Sequence, residues 1–330
     1  MTIFPLARPA TRRLAAQLPA AWLLAAGLLA ALPARAEMVT FRDDAGRDVQ
    51  VPKVPRRIVS LDDAGLTVPL LELGVIPVAS QGRLGAGGQP IIRGALSLTG
   101  LDFGHAEIRF LGVAPVDIEA IAAARPDLIL APAGSPLPVA QLQRLAPTVV
   151  IDDTAHAPGG IHALLARLSG RQEEAVRLER RYQAQIAELR RSYRPERFSV
   201  SVISATRDGK LSLEHTYGSL GLVLRDAGFR FSPVFARIPP NRAVTLSPEL
   251  LQSVDADIIL DTYRNDRKEK PAAARHRMEA LHPDYCRFLR ACREGRYLVL
   301  PRDEAKAISY QSRSMAIGML TGILSGAAMR

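Results

Sequence analysis

Hydrophobic and polar positions change their period several times along the chain, and each change predicts a different element. Residues 38–52 contain two short alternating runs on either side of Asp44-Ala45-Gly46, a pattern typical of a β-hairpin. Beyond Pro55, short apolar runs alternate with stretches whose apolar residues recur three or four apart. This alternation predicts strands covered by helices on both faces, and therefore a parallel α/β sheet. The predicted strands are 57–61, 75–79, 127–130 and 148–151, and the predicted helices are 66–73, 117–124 and 140–145.

The alternation stops after a further predicted helix at 161–168. Residues 172–193 then form an unbroken charged stretch with one narrow apolar face. A helix of this length measures about 33 Å at 1.5 Å per residue, which is long enough to connect two lobes, and Pro195 ends it. Its apolar positions are Ala175, Leu178, Tyr182, Ile186, Leu189 and Tyr193.

A second α/β series follows the long helix. Its predicted strands are 198–203, 257–260 and 296–300, and its predicted helices are 219–227, 248–253, 278–289 and 312–324. We therefore predict two parallel-sheet α/β lobes joined by a single long backbone helix. The predicted parts are a first lobe at 37–158, a connecting helical segment at 159–195 and a second lobe at 196–330.

The first 36 residues have the pattern of a cleavable signal peptide. A basic stretch with Arg8, Arg12 and Arg13 precedes an apolar run at 20–32, which is short for a membrane span. Ala34-Arg35-Ala36 supplies the small residues that signal peptidase requires, so we predict cleavage after Ala36. Because no cysteine lies near this point, we expect a free periplasmic protein without a lipid anchor. The pattern favours general secretion, although the arginine pair leaves twin-arginine export open.

Charge argues against a nucleic-acid partner. The whole chain has 43 Lys and Arg, 33 Asp and Glu and a formal charge of +10, and four of the arginines lie within residues 1–36. The remainder therefore carries a moderate +6 that is scattered rather than gathered in basic runs. Such an excess suits an anionic ligand and predicts no nucleic-acid binding.

The candidate reactive residues predict neither a resident metal nor catalysis. Cys286 and Cys292 are the only cysteines, and in an oxidising compartment they form either a local disulfide or two free thiols. The histidine pairs His156/His162 and His276/His282 are six residues apart, which does not place them on one helical face. No nucleophile motif stands out, so we predict a protein that is not an enzyme and has no cofactor.

Several segments, taken in order, resemble the periplasmic substrate-binding proteins of iron-complex ABC importers, the ferric-siderophore, haem and cobalamin group. They are FRDDAGRDVQVPKVPRRIVSL, LLELGVIPVA, VDIEAIAAARPDLILAP with its second-lobe counterpart VTLSPELLQSVDADIIL, and GSLGLVLRDAGF after Tyr217. The resemblance runs from about Val39 to the C-terminus. It implies a monomeric receptor of the class III fold, with two lobes facing each other across a cleft and only a small hinge motion.

The same resemblance implies a role for Glu119 and Glu249. In this family one glutamate on each lobe pairs with arginines of the membrane permease, and two separated charges fix orientation as well as attraction. Acids in first helical turns are also favoured by the helix dipole alone, and Ser247-Pro248-Glu249 is a good helix start. We predict that both residues dock on an inner-membrane ABC permease.

Ligand residues are expected in the loops that follow the strands, because binding crevices of open α/β sheets lie there. Arginine and tyrosine suit an anionic ferric chelate, since guanidinium binds several oxygens and tyrosine stacks and donates. Arg264 also resembles an arginine that catecholate-binding members direct at their ligand. The predicted ligand residues are Arg83, Arg109, Arg207, Tyr217, Arg242, Tyr263, Arg264 and Tyr310; the same loops also carry Arg93, Arg237, Arg302 and Arg313.

We therefore predict a receptor that captures a ferric-siderophore complex and delivers it to an ABC importer. A haem or cobalamin receptor of the same family is the alternative, although cobalamin binders rely on tryptophan and the one tryptophan here, Trp22, lies in the predicted signal peptide. Val113 and residues 133–135 replace the family's hydroxamate-binding residues. An exported small-molecule enzyme or a sensor on the same fold is the further alternative. The chelator type stays open at this point.

Overall fold

The structure of the protein, a computed structural model, describes Met1, residues 37–239 and residues 242–328. The predicted signal peptide and its cleavage point therefore lie outside the described residues. From Glu37 onward the chain forms one compact unit, and a search of the described part finds no helix that could span a membrane.

The elements alternate along most of the chain. The strands are β1 (Met38–Arg42), β2 (Asp48–Pro52), β3 (Ile58–Ser60), β4 (Ala79–Ser80), β5 (Arg83–Leu84), β6 (Pro90–Ile91), β7 (Arg109–Phe110), β8 (Leu128–Pro132), β9 (Thr148–Ile151), β10 (Ser199–Ala205), β11 (Leu211–Glu214), β12 (Arg230–Phe231), β13 (Ala243–Leu246), β14 (Ile258–Tyr263) and β15 (Tyr297–Pro301). The helices are α1 (Val68–Glu72), α2 (Ala95–Thr99), α3 (Ile118–Ala123), α4 (Val139–Leu142), α5 (Gly160–Ser169), α6 (Gln172–Tyr193), α7 (Gly218–Ala227), α8 (Pro271–Leu281), α9 (Tyr285–Phe288), α10 (Arg290–Arg293), α11 (Arg302–Lys306) and α12 (Tyr310–Ala328). Single 3-10 turns lie at Pro195–Arg197, Pro233–Arg237, Pro248–Val254 and Asn265–Arg267, and a wide π-type turn lies at Asp63–Thr67.

The first lobe is built on a five-stranded parallel sheet in the order β7-β4-β3-β8-β9. Its strands have side chains buried on both faces: Leu128 and Leu130 face α1 and α5, whereas Ile129 faces α3 and α4. Coverage of both faces is what the near-continuous apolar runs predict. The hairpin β1–β2 pairs antiparallel as predicted, and its Phe41, Val49 and Val51 join the same core.

The second lobe has a mixed sheet in the order β13-β11-β10-β14-β15, with β12 beside the start of β10. Strands β10, β12, β14 and β15 are parallel, whereas β11 pairs antiparallel with both β10 and β13. The predicted parallel core of the second sheet is therefore confirmed, and β11 is an additional antiparallel strand that the sequence analysis does not predict. The reason for its direction is the short turn at residues 206–210, where Thr206 hydrogen-bonds Lys210 and Gly209 has a φ of +72°. A connection this short returns a strand only in the antiparallel direction.

Helix α6 has the predicted limits, and its two halves belong to different cores. Ala175 and Leu178 pack against the first lobe, whereas Tyr182, Ile186 and Leu189 are buried in the second. Acidic residues occupy its first turn and basic residues its last, as the helix dipole favours. A rigid helix shared by both cores is the predicted connector, and we keep the limits 37–158, 159–195 and 196–330 as the proposed division of the chain.

The predicted helix at 278–289 is wrong in its limits. Helix α8 begins seven residues earlier, at Pro271, and ends at Leu281. His282 is extended because it precedes Pro283, and residues before proline avoid the helical region. Two short helices, α9 and α10, follow, and a disulfide joins Cys286 to Cys292 with Cα atoms 5.0 Å apart. This is one of the two alternatives that the sequence leaves open.

Candidate functional site

A cavity of about 580 Å³ lies between the two lobes. The loop after β9 forms its first-lobe wall. The second-lobe wall consists of the loop between β11 and α7, one face of α7, and the segment from the end of α11 into the first turn of α12. We call this space the interlobe cavity. Its lining residues are Asp153, Thr154, residues 156–159, Ile161, residues 214–216, Gly218, Ser219, Leu222, Arg225, Lys306, Ile308 and Arg313.

The N-terminal hairpin braces the first-lobe wall. Asp152 turns the chain after β9 by accepting hydrogen bonds from the amide and hydroxyl of Thr154. The carboxylate of Asp44 then accepts a hydrogen bond from the amide of Asp152 at 2.8 Å and lies 2.7 Å from Nε2 of His156. A residue of the hairpin loop, far away in sequence, therefore sets the position of the wall.

Close backbone contacts shape the second-lobe wall and explain the small residues of GSLGLVLRDAGF. Gly218 has a φ of +57°, and a Cβ there would lie 2.5 Å from the backbone of Lys306. A Cβ on Gly221 would lie only 1.5 Å from the carbonyl oxygen of Thr216. Ser219 bonds the carbonyl of Ala307 through its hydroxyl at 2.5 Å. Only residues without bulky side chains permit this approach of α7 to the segment after α11.

Among the described lysine and arginine side chains that line the cavity, Lys306 is the one that has an acidic partner. Its Nζ lies 2.6 and 2.7 Å from the two carboxylate oxygens of Glu214, and it also stands 5.2 Å from the centre of the Tyr217 ring. Burial lowers the pKa of Lys306 although the hydrogen bond to Glu214 opposes this shift. This ion pair neutralises charge at one end of the interlobe cavity.

Arg225 and Arg313 differ from Lys306. In the described part of the chain, Nε and Nη2 of Arg225 and Nε and Nη1 of Arg313 are buried without a hydrogen-bond partner, and neither residue forms an ion pair within 4.0 Å. Burial lowers the pKa of Arg225. Nδ1 of His215 is likewise buried without a partner, and burial followed by the charge of Arg225 lowers the pKa of this imidazole.

Aromatic rings, rather than acids, surround these guanidinium groups. Cζ of Arg313 lies 4.4 Å from the ring centre of Tyr310 and 5.1 Å from that of Tyr182, and Cζ of Arg225 lies 4.4 Å from that of Phe231. Cation–π contacts of this kind compensate partly for lost hydration but leave the donors on the unpartnered guanidinium nitrogens unused.

None of the eight ligand residues predicted from the sequence lines the interlobe cavity. Arg83 donates two hydrogen bonds to Asp63, at 2.7 and 3.0 Å, and Arg264 donates two to Asp266, at 2.8 and 2.6 Å. Both arginines follow strands as predicted, but each is already held by an acid of its own lobe. The hydrogen bond to Asp266 raises the pKa of the Arg264 guanidinium.

Tyr217 and Tyr310 are core residues rather than loop residues. The hydroxyl of Tyr217 lies 2.5 Å from that of Thr262, and the hydroxyl of Tyr310 donates to Glu179 at 2.5 Å. Burial raises the pKa of Tyr217 to about 12. The remaining predicted residues lie at strand ends and turns outside the cavity: Arg109, Arg207 and Arg242, which are exposed, and Tyr263, which is half-buried.

The sequence reasoning therefore missed Arg225, His215 and Lys306, and it noted Arg313 without selecting it. A signal for two of them was present. Arg313 is the single charge in SRSMAIGML, and Arg225 is the single basic residue in LGLVLRDAGF, where the other residues apart from Asp226 are apolar or small. A charge on such a helix has to be buried or has to line a cavity.

Glu72 joins the lobes beside the cavity. This α1 carboxylate accepts hydrogen bonds from the Ser309 hydroxyl at 2.7 Å, the Tyr310 amide at 3.0 Å and the Gln311 amide at 2.8 Å, all at the start of α12. Its other contact is Nε2 of the fully buried His162, at 2.8 Å. A first-lobe side chain thus caps the second-lobe helix that carries Arg313.

The predicted docking glutamates are both exposed. Glu119 lies in the first turn of α3, where Asp117 caps its amide at 2.9 Å, and Glu249 lies in the turn at Pro248–Val254. The Ser247 hydroxyl donates to the Glu249 carboxylate and lowers its pKa. A search of the described residues for clusters of three or more His, Cys, Asp or Glu side chains that could hold a metal ion finds none.

Comparison with known proteins identifies the family. The family model described as periplasmic binding protein matches residues 106–277, more than half of the chain. The chain therefore belongs to this family of solute-binding proteins. A search of curated proteins finds no match.

Solved structures share the fold. Staphylococcus aureus SirA, crystallised with staphyloferrin B, superposes with a TM-score of 0.70 and 21% identity over 87% of this chain and 98% of that one. A FhuD fold-family protein from Bacillus subtilis, described as the binding component of a ferrichrome ABC transporter, gives 0.69 and 15% over 86% and 99%. The siderophore periplasmic binding protein from the fuscachelin gene cluster of Thermobifida fusca gives 0.63 and 23% over 84% and 98%. These likenesses confirm the predicted two-lobe class with its helical connector.

Proposed function

We propose that this protein is a periplasmic receptor that captures a ferric-siderophore complex between its lobes and delivers it to an inner-membrane ABC importer. The observation that carries the proposal is the interlobe cavity, where guanidinium nitrogens of Arg225 and Arg313 are buried without a hydrogen-bond partner among the described residues. Such a site favours an anionic guest. Family membership and the siderophore-related fold neighbours support the same class of ligand.

Capture requires little movement of the lobes. Helix α6 contributes to both cores, and Glu72 ties the first lobe to α12. A stiff connector of this kind limits hinge closure, so the loops of the cavity rather than whole lobes adjust to the ligand. We further propose that the receptor is a monomer, exported by cleavage after Ala36 and free of a lipid anchor.

Calorimetric titration of residues 37–330 tests the ligand class. The panel contains ferric citrate, a ferric tricatecholate, a ferric trihydroxamate, haem and cobalamin. We expect sub-micromolar binding of one ferric chelate, because the cavity supplies fixed positive charge. Binding of haem or cobalamin alone would indicate a different receptor of the same family instead of a siderophore receptor. Failure to bind any ligand of the panel would contradict the proposed function.

The docking proposal predicts a separate effect on delivery. The double charge reversal Glu119→Arg/Glu249→Arg is expected to reduce uptake of the iron complex to background while leaving its binding unchanged, because both carboxylates are exposed and neither lines the cavity. Uptake is measured in cells that depend on this receptor for iron.

The matched control reverses two exposed glutamates of α6, Glu173 and Glu188, which makes the same change in net charge. We expect normal uptake for this control. Normal uptake by the Glu119/Glu249 variant, with the protein present at normal level, would exclude docking through these two residues.

A further inference from the structure

Only some of the charged side chains that line the interlobe cavity are neutralised by a partner of opposite charge. Lys306 is neutralised by Glu214, whereas the guanidinium groups of Arg225 and Arg313 have buried nitrogens without a partner among the described residues. Arg313 is only 3% exposed. Each arginine lines the cavity, so an incoming ligand meets both.

An unpartnered buried charge is unfavourable for folding. Desolvation of a guanidinium is unfavourable unless hydrogen bonds or an opposite charge compensate, and the ring contacts of Arg313 with Tyr182 and Tyr310 supply only part of this compensation. Two such residues in one cavity therefore constitute a site that is complete only when an anion occupies it.

The lining also indicates which anion fits. Among the described residues no phenylalanine, tyrosine or tryptophan lines the cavity, and this includes Tyr182 and Tyr310, whose rings contact Arg313. Aromatic catecholate chelators gain from stacking on such rings, whereas a carboxylate needs only the planar fork of donors that an arginine presents. The hydroxyl-bearing neighbours Thr154, Thr216 and Ser219 add polar partners.

We propose that the interlobe cavity recognises a carboxylate-type ferric chelate, and that Arg225 and Arg313 bind its carboxylate groups. This inference rests on the proposed function and narrows it to one chelator chemistry. The acid that such a ligand faces is Asp153, on the opposite wall; burial and the neighbouring Asp152 raise the pKa of this group. Glu214 is neutralised by Lys306.

The test is calorimetric titration of residues 37–330 with ferric citrate, metal-free citrate, a ferric tricatecholate and a ferric trihydroxamate. We expect ferric citrate to bind, and Arg313→Met and Arg225→Met each to weaken it about ten- to a hundredfold, the usual worth of a charge-assisted hydrogen bond. Arg313→Lys should recover part of the affinity because it restores the charge without the fork. Arg180→Met, on the exposed face of α6, is the matched control and should bind like the unchanged protein.

Thermal unfolding of the same proteins without ligand separates ligand binding from a structural role. Because Arg313→Met replaces a buried charge that has no acidic partner in the described part of the chain by an apolar side chain of similar length, this variant should be at least as stable as the unchanged protein. If the variant is less stable but binds ferric citrate as before, Arg313 stabilises the fold and does not bind the ligand. If Arg313→Met does not fold, the binding results for Arg225→Met and Arg313→Lys decide.

The outcomes distinguish this inference from the function on which it rests. Binding of the tricatecholate or trihydroxamate without ferric citrate would overturn the carboxylate assignment and leave the siderophore receptor intact. Ferric citrate binding that both arginine variants retain would overturn the role of these residues. Failure of every ferric complex would remove the proposed function and the inference together.

Discussion

Gly221→Ala is expected to lower the free energy of unfolding by about 3 kcal/mol or more, at the upper end of overpacking effects. The added Cβ would lie 1.5 Å from the carbonyl oxygen of Thr216, which is far shorter than any contact between non-bonded atoms. Either the loop or helix α7 would therefore have to move. The loop cannot retreat easily, because His215 is hydrogen-bonded to the carbonyl of Arg242 and Gly218 packs against the backbone of Lys306. Urea unfolding followed by circular dichroism measures the change.

The matched control is Gly322→Ala in α12. A Cβ there has no neighbour within 4 Å, and alanine is favoured over glycine inside a helix by about 1 kcal/mol. We therefore expect this variant to be more stable than the unchanged protein. Because Thr216 also lines the interlobe cavity, Gly221→Ala should reduce ligand binding even where some folded protein remains. Unchanged stability of Gly221→Ala would mean that α7 does not approach this loop as closely as the structure has it.

The sequence predicts elements best where local signals and burial agree. Helix α6 is predicted at both ends, because acids begin it, Pro195 follows it, and its apolar face is narrow and regular. Strand β9 is equally clear, because four successive buried residues are β-branched. The helix at 278–289 is misplaced because the periodicity continues through Pro283, where the backbone cannot remain helical.

The candidate site is harder to predict, because whether an arginine is free depends on neighbours that no local pattern reveals. Arg83 and Arg264 follow strands, as ligand residues do, yet Asp63 and Asp266 already hold them. Arg313 lies in a helix, and its guanidinium is buried against the rings of Tyr182 of α6 and Tyr310. Sequence position identifies the candidate arginines and lysines. Which of them already pair with an acid of the protein, and which can bind a ligand, depends on the tertiary structure.

Glu72→Ala is expected to lower the free energy of unfolding by about 3 kcal/mol, the effect of breaking a buried charged network. The variant leaves His162 buried without its partner and removes the acceptor for the amides of Tyr310 and Gln311 at the start of α12. Glu72→Gln keeps an acceptor oxygen and should lose about half as much. Glu107→Ala, at an exposed loop position, is the control and should change stability by less than about 0.5 kcal/mol.

The stability that the protein loses on substitution of Glu72 should depend on pH, and it should be largest near neutral pH. Burial raises the pKa of Glu72, but the hydrogen bond and charge of His162 more than offset this, so the pKa lies below its ordinary value. The stabilisation is therefore complete above the ordinary glutamate pKa of about 4.3 and disappears as the pH falls through the lower pKa of the folded protein. Stability curves of the unchanged protein and Glu72→Gln should converge in acid and separate towards neutral pH. Curves separated by a constant amount down to pH 3 would contradict the assignment.

Hydrogen exchange locates the same effect within the fold. Because Glu72 of the first lobe caps the helix that carries Arg313 three residues further on, its removal should speed amide exchange at Tyr310 and Gln311 before it affects the central strands β8 and β14. Loosening of this turn would also displace the Arg313 guanidinium, so ligand affinity should fall even at temperatures where Glu72→Ala is fully folded. Unchanged exchange at these two amides would mean that the Glu72 carboxylate serves only His162 and does not stabilise the start of α12.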